Sequence, residues 1–372
     1  MTGAAILAAG LAAYAALALA VHVLSVLIVA RRFRALPPAP PAPEGLTVLR
    51  PICGTDPHMA ATLASSFPPH APQMEVIFCT ARADDPAISL AQAAMAARPD
   101  VPSRLLVGED MISGNPKLNN LVKGWQAARY RWIAMIDSNV ALPPDYVERL
   151  FATWTPDTGL VTSPPVGTAP EGFWARVEAG FLNTYQDRWQ LLADAVGHGF
   201  AQGKVLFWRR DILDAAGGPA AIGRDLAEDV ASTKVVRAAK LRVRVVPQPF
   251  AQPLGPRTRA AVWDRQLRWA RVRRAGFPLI FALEPLSGAV LPVASMAVLS
   301  GGWVAPAIFA AVWFGAEWVL ARRAGWPAGL ADVAAWMLRD AMIPLLWLAA
   351  FRARGFVWRG NAMTPDDSTL QA

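Results

Sequence analysis

Cysteine and histidine are scarce: two cysteines, Cys53 and Cys79, and four histidines, His22, His58, His70 and His198, in 372 residues. Two cysteines exclude a disulfide scaffold and any four-cysteine zinc site. The histidines have no ligand-like spacing and read as structural or solvated; only His198, inside the glycine-rich stretch Gly197 to Gly203, is a candidate for a place near a site. The G-x-x-x-x-G-K-[ST] loop, the G-x-G-x-x-G fingerprint and the H-E-x-x-H motif are missing, which removes the common nucleotide and zinc signatures. Charge is sparse as well, 17% of residues against 54% hydrophobic, and this balance is too apolar for a soluble or a disordered chain, so membrane segments are expected. Basic residues nevertheless exceed acidic ones, 36 − 28 = +8. That excess suits anionic lipid surfaces or phosphate-bearing ligands, and no nucleic-acid-binding module accompanies it.

Ala4 to Ala30 is free of charged side chains, and its 27 residues exceed the ~20 needed to cross a bilayer core. No basic stretch precedes it, whereas Arg31, Arg32 and Arg34 follow at once, so it reads as an uncleaved anchor with the following domain in the cytoplasm. Pro37, Pro38, Pro40, Pro41 and Pro43 then favour a stiff spacer. A second apolar zone follows Arg271, Arg273 and Arg274, with candidate spans Phe277 to Leu299, Trp303 to Ala321 and Val333 to Phe351. Arg339 and Asp340 are costly at a bilayer centre, and three full spans would put Arg352, Arg354 and Arg359 outside, against the positive-inside tendency. One of these segments is therefore expected to be interfacial. The partition predicted is an anchor at 1–31, a linker at 32–45, a cytoplasmic domain at 46–274, a membrane region at 275–360 and a tail at 361–372.

In the middle domain, short apolar runs (Thr47 to Leu49, Val76 to Cys79, Leu105 to Val107, Trp132 to Ile136, Gly159 to Val161) alternate with stretches that can be helical. Such βα alternation predicts an α/β fold with a buried, Rossmann-like parallel sheet. Ligands of these sheets bind beyond the carboxyl ends of the strands. There the sequence places Asp84-Asp85, and then Asp137-Ser138-Asn139 directly after Trp132 to Ile136, where a hard cation could bridge carboxylate and amide oxygens to a diphosphate. Glu228-Asp229 opens a predicted helix after Gly217-Gly218. Arg265, Arg268 and Trp269 share a helical face on a basic stretch. Each alone has an ordinary explanation as turn, helix cap or membrane-surface helix.

Taken in order, the acidic pair, the strand-end Asp137, the second acidic pair and Arg265-x-x-Arg268-Trp269 resemble the D, D, D, (Q/R)XXRW pattern of lipid and processive glycosyltransferases with a GT-A fold. Leu49-Arg50-Pro51 with Gly54 and Asp56-Pro57, Asp84 to Ile88, and Asn115-Pro116-Lys117-Leu118-Asn119-Asn120-Leu121 resemble more closely the ceramide glucosyltransferase family, glycosyltransferase family 21. Hopanoid-linked sugar transferases share much of the pattern.

The resemblance implies an inverting enzyme that moves a sugar, glucose first among the expectations, from a UDP-sugar to the primary hydroxyl of a membrane lipid, ceramide, at the cytoplasmic face of the inner membrane. Asp229 would be the catalytic base. Asp84 or Asp85 would hold the uridine end, and Asp137 the Mg²⁺ or Mn²⁺ on the diphosphate with Asn139. Lys117 would be a further donor contact; Arg265, Arg268 and Trp269 would lie over the diphosphate and the acceptor entrance, and Glu228, Gln266 and His198 near the acceptor. Asp137-Ser138-Asn139 lacks a second carboxylate, so weaker metal binding is expected. Gln186 stands where animal members carry a histidine. Two other readings use the same residues: a nucleotide-sugar-binding scaffold without catalysis, which has no need of Asp229, and an exporting polysaccharide synthase, for which the membrane segments are too few.

Overall fold

The computed structural model describes residues 2–34, 38–70, 73–225, 227–352, 355–358 and 361–363. Pro37 of the spacer, Arg354, Arg359 and the tail beyond Met363 lie outside the described residues.

Among the described residues, nine strands carry the α/β part: β1 (Leu46–Pro51), β2 (Met74–Thr80), β3 (Ser103–Val107), β4 (Trp132–Ile136), β5 (Thr158–Thr162), β6 (Val166–Glu171), β7 (Val205–Arg209), β8 (Arg242–Val245) and β9 (Ala251–Pro256). Seven form one sheet in the order β3-β2-β1-β4-β7-β5-β8, and β6 and β9 pair separately. The pairs β3-β2, β2-β1, β1-β4 and β5-β8 are parallel, while β7 runs antiparallel to both β4 and β5. Parallel strands are buried on both faces, and β2 and β4 are buried at every residue. Alternate side chains divide between two apolar layers. Leu46, Val48, Val76, Phe78, Ala134 and Ile136 face one, and Leu49, Ile77, Cys79, Ile133 and Met135 face the other. Cys79 is thus a core residue, its thiol pushed up to about 11 by burial, whereas Cys53 is exposed.

Two compact units result, and they cut the chain differently from the linear partition. The sheet unit holds the described residues of Ala35–Ala169, Ala193–Gly255 and Gly355–Ala372. The helical unit gathers those of Met1–Arg34, Pro170–Leu192 and Pro256–Arg354. Residues 170–192 and 256–274, expected inside the sheet domain, therefore belong to the helical unit. The reason is burial: Val177, Phe181, Tyr185 and Val262 form one apolar cluster with Ala335, Met342, Ile343 and Leu346 of helix Leu330–Ala350.

Among the described residues, three helices are long and apolar enough to cross a membrane: Gly3–Phe33, Val304–Ala324 and Leu330–Ala350. The expected span Phe277 to Leu299 is broken instead into Pro278–Ala282, a turn at Glu284–Ser287 and helix Val290–Ser300. Prolines open the first two pieces, and an 11-residue helix rises only about 16 Å, half a bilayer core.

Candidate active site

In the sheet unit the carboxyl end of β4 and the start of β7 are locked together, because Ile136 pairs with Val205 and the Asp137 amide donates to the Lys204 carbonyl at 3.0 Å. Lys204 Nζ then donates to Asp137 Oδ2 at 2.8 Å and to Asn139 Oδ1 at 3.0 Å. A second lysine enters from helix Pro116–Ala127, whose start is fixed by Pro116 and by the Asn115 side chain accepting from the Lys117 amide at 3.0 Å. Lys117 Nζ donates to Asp137 Oδ1, Glu228 Oε1 and the Gly203 carbonyl, each at 2.6 Å. Neither is a surface lysine: Lys117 is 9% and Lys204 8% exposed.

Helix Glu228–Ala238 supplies the other two carboxylates. Glu228 is tied down by Lys117 and by Asn115 Nδ2, which donates to Oε2 at 3.0 Å. Asp229 accepts from the Gly203 amide at 3.0 Å and from the Val230 amide at 2.8 Å. Gly203 passes so close that an added Cβ would lie 2.7 Å from Glu228 Oε1, so no larger residue fits without moving that carboxylate.

Three carboxylates against two ammonium groups leave one acid uncompensated, and the electrostatics single out Asp229. Its burial, with the Glu228 charge second, pushes its carboxyl up to about 6, against the pull of the Gly203 amide and Lys117. Burial works the same way on Asp137, but Lys117 and Lys204 outweigh it and hold that carboxyl well below the usual range. Lys117 itself is pushed down by burial and then raised above an ordinary lysine by Asp137 and Glu228. Neighbouring acids are thus separated into one permanently ionised group and one with the pKa of a general base near neutral pH.

The expected donor acids divide. Asp85 is committed to backbone, accepting from the Gly54 amide at 2.9 and 3.0 Å and from the Ala87 amide at 2.9 Å, so it clamps the loop after β1 to the loop after β2. Asp84 is exposed and paired with Arg82 at 2.6 Å. His198 is exposed on the turn after helix Arg188–Ala195 and takes no part in the hydrogen bonds of the cluster.

Arg265, Gln266, Arg268 and Trp269 all lie on helix Arg259–Gly276 of the helical unit. Arg265 forms an ion pair with Glu178 and lies over the Trp269 ring, 5.6 Å from its centroid; Glu178 also accepts from Arg257 at 3.1 Å. Gln266 accepts from Gln186 Nε2 at 3.0 Å. Lys204, Gly203 and Asn115 are the members of the sheet-unit cluster that sequence reasoning missed.

Would these residues hold a divalent cation? Asp137 and Asn139, the oxygens expected to ligate it, converge on the Lys204 ammonium, and the remaining Asp137 oxygen is taken by Lys117. Among the described residues no group of three or more His, Cys, Asp or Glu side chains is gathered as a cation site. In this arrangement the donor set does not fit a divalent ion: one carboxylate and one amide, with ammonium charge already between them.

A mixed sheet dominated by parallel pairs, with acids beyond the carboxyl ends of its strands, is the architecture of the GT-A fold. The fold resembles that of the mannosyltransferase from Pyrobaculum calidifontis solved with GDP-Man and Mn²⁺, with a TM-score of 0.54 and 17% identity over 92% of this chain and 98% of that one. The chain belongs to glycosyl transferase family 21, whose sequence model matches residues 10–369. It is 26% identical over 335 residues to ceramide glucosyltransferase 1 of Caenorhabditis elegans, covering 86% of this chain and 72% of the relative. It is 43% identical over 107 residues to the ceramide glucosyltransferase of Komagataella phaffii, covering 28% of this chain and 21% of the relative.

Proposed function

We propose that the protein transfers a sugar from a UDP-sugar to the hydroxyl of a membrane lipid with inversion at the sugar carbon. Ceramide is the expected acceptor and glucose the expected sugar. The observation that carries the reading is Asp229, a carboxylate pushed up to about 6 near Asp137, which two lysines keep ionised. Asp229 takes the acceptor hydroxyl proton as the oxygen attacks C1. The bond from C1 to the diphosphate oxygen breaks, and UDP departs with the electron pair. For Arg265, Arg268 and Trp269 the proposed roles, and for Asp84 the proposed uridine contact, rest on the family pattern alone.

Contacts inside the helical unit support a membrane placement. Helix Gly3–Ala30 runs alongside Val304–Ala324 in the same direction: His22 stacks on Trp313 at 3.8 Å and donates to its carbonyl, and Arg323 donates to the Ala30 carbonyl at 2.9 Å. With Arg31, Arg32 and Arg34 in the cytoplasm, Arg322 and Arg323 are there too. The broken segment from Phe277 to Ser300 then leads outward, and Val304–Ala324 returns. Leu330–Ala350 meets Arg176 at Asp332 and Arg274 at the Ala350 carbonyl, so both ends stand against basic residues, and we assign it to the cytoplasmic interface. Such a protein would reach a lipid acceptor from the inner membrane's cytoplasmic side.

Lipid mass spectrometry on a non-glycosylating host supplied with ceramide or, separately, a hopanoid tests the reading. A hexosylceramide made only when the protein is expressed is the predicted result. A sugar on the hopanoid alone would move the acceptor, and no new glycolipid from either lipid would favour the scaffold.

A further inference from the structure

We propose that the Lys204 ammonium, backed by Lys117, replaces the divalent cation at the donor diphosphate, so that this chain transfers its sugar without a metal ion. The inference rests on the diphosphate-sugar donor proposed above and concerns the same site. Three observations carry it.

Lys204 is placed by the sheet. Its carbonyl is bonded to the Asp137 amide as β4 and β7 meet, so its position is set by the ladder rather than by a loose loop. Its Nζ lies 2.8 Å from Asp137 Oδ2 and 3.0 Å from Asn139 Oδ1, which are the two oxygens that an Asp-x-Asn segment would offer a cation. The point between those ligands is thus filled by a positive charge belonging to the chain.

Displacing Lys204 would not free the site. The other Asp137 oxygen is held at 2.6 Å by Lys117, which is pinned in turn by Glu228 and the Gly203 carbonyl. A dication seated on Asp137 would face that buried ammonium across a single carboxylate.

The charge at the expected ligand is already compensated. Lys117 and Lys204 both pair with Asp137 and Lys117 with Glu228 as well, and the one acid left without a lysine partner is Asp229, so Asp137 has no surplus for a dication to neutralise. A diphosphate brought to the end of β4 finds the ammonium instead. Lysine is a compact point charge suited to phosphate, and it stabilises the negative charge that grows on the oxygen leaving C1.

The test uses the full chain in lipid nanodiscs. UDP binding is measured by calorimetry and turnover with UDP-sugar and lipid, each in excess EDTA and in Mn²⁺, for wild type, Lys204→Met and Lys204→Arg; Mn²⁺ binding is followed by electron paramagnetic resonance. Wild type is expected to bind UDP and turn over in EDTA within about threefold of its values in Mn²⁺, with no tightly bound Mn²⁺ signal. Lys204→Met should lose about tenfold or more in UDP affinity in EDTA, with no bound Mn²⁺ signal and no recovery in Mn²⁺, because Lys117 still holds the other Asp137 oxygen. Lys204→Arg, which keeps the charge, should still hold UDP in EDTA. If Lys204→Met fails to fold, the wild-type comparison and Lys204→Arg decide. Wild-type binding of UDP that requires Mn²⁺, or a Lys204→Met variant equal to wild type in EDTA, would overturn the inference alone. Absence of UDP binding in both media would overturn the donor reading and this inference with it.

Discussion

Adjacent residues Glu228 and Asp229 differ in the kind of partner they meet. Glu228 receives Lys117 and Asn115; Asp229 receives backbone amides and feels the Glu228 charge. A base works only when deprotonated, so turnover is expected to fall as pH drops through about 6 and to level off above it, read from a pH profile of kcat/KM. Gly203 sets the spacing of the two acids. Gly203→Ala should cost about 1–3 kcal/mol of stability and lower turnover, since its Cβ meets Glu228 Oε1; thermal unfolding and a lipid transfer assay check both.

The antiparallel insertion of β7 beside β4 brings Lys204 to Asp137, and nothing in the local sequence announces it. Apolar runs at Thr47 to Leu49, Val76 to Cys79, Leu105 to Val107, Trp132 to Ile136 and Gly159 to Val161 all lie in strands β1 to β5; β1, β2, β4 and β5 are almost wholly buried and so mostly apolar, while β3 lies at the sheet edge and is only partly covered. The acids at the ends of these strands were visible for the same reason. Lys204 was not, because its partner is 67 residues away and the pairing depends on which edge of β4 receives the returning chain. Residues 170–192 and 256–274 group with the helical unit, which the sequence does not announce, since a helix does not reveal from its own residues which core it covers. Removing Lys117 would leave Asp137 and Glu228 buried without a shared counter-charge, so Lys117→Met is expected to lose about 3–5 kcal/mol in denaturant unfolding of the chain. A parallel case lies in the helical unit. Arg339, fully buried, donates to both Glu317 oxygens at 3.0 Å, to Asp340 at 2.8 Å and to Thr184 at 2.7 Å, joining helices Val304–Ala324 and Leu330–Ala350 to the segment after Gly180. Arg339→Met should likewise lose about 3–5 kcal/mol, seen as a lowered unfolding temperature in detergent.

Across the whole chain, two apolar systems with different solvents account for the two units: a double-layered sheet core, and helices whose outward faces keep Leu7, Leu17, Ile308, Val312 and Leu348 exposed. Large exposed side chains of this kind suit lipid rather than water. The proposed topology predicts that, in a Cys53→Ser, Cys79→Ser background, an impermeant maleimide added to intact cells labels Gly302→Cys and not Arg322→Cys; the reverse pattern would contradict it. The central claim is that a general base, Asp229, stands among lysine-neutralised acids in this family 21 glycosyltransferase. Its most direct test is Asp229→Asn, measured for both UDP binding and sugar transfer to ceramide. The account predicts UDP affinity near wild type with transfer reduced by about 10²-fold or more. Transfer at the wild-type rate by a variant that binds UDP normally would contradict it.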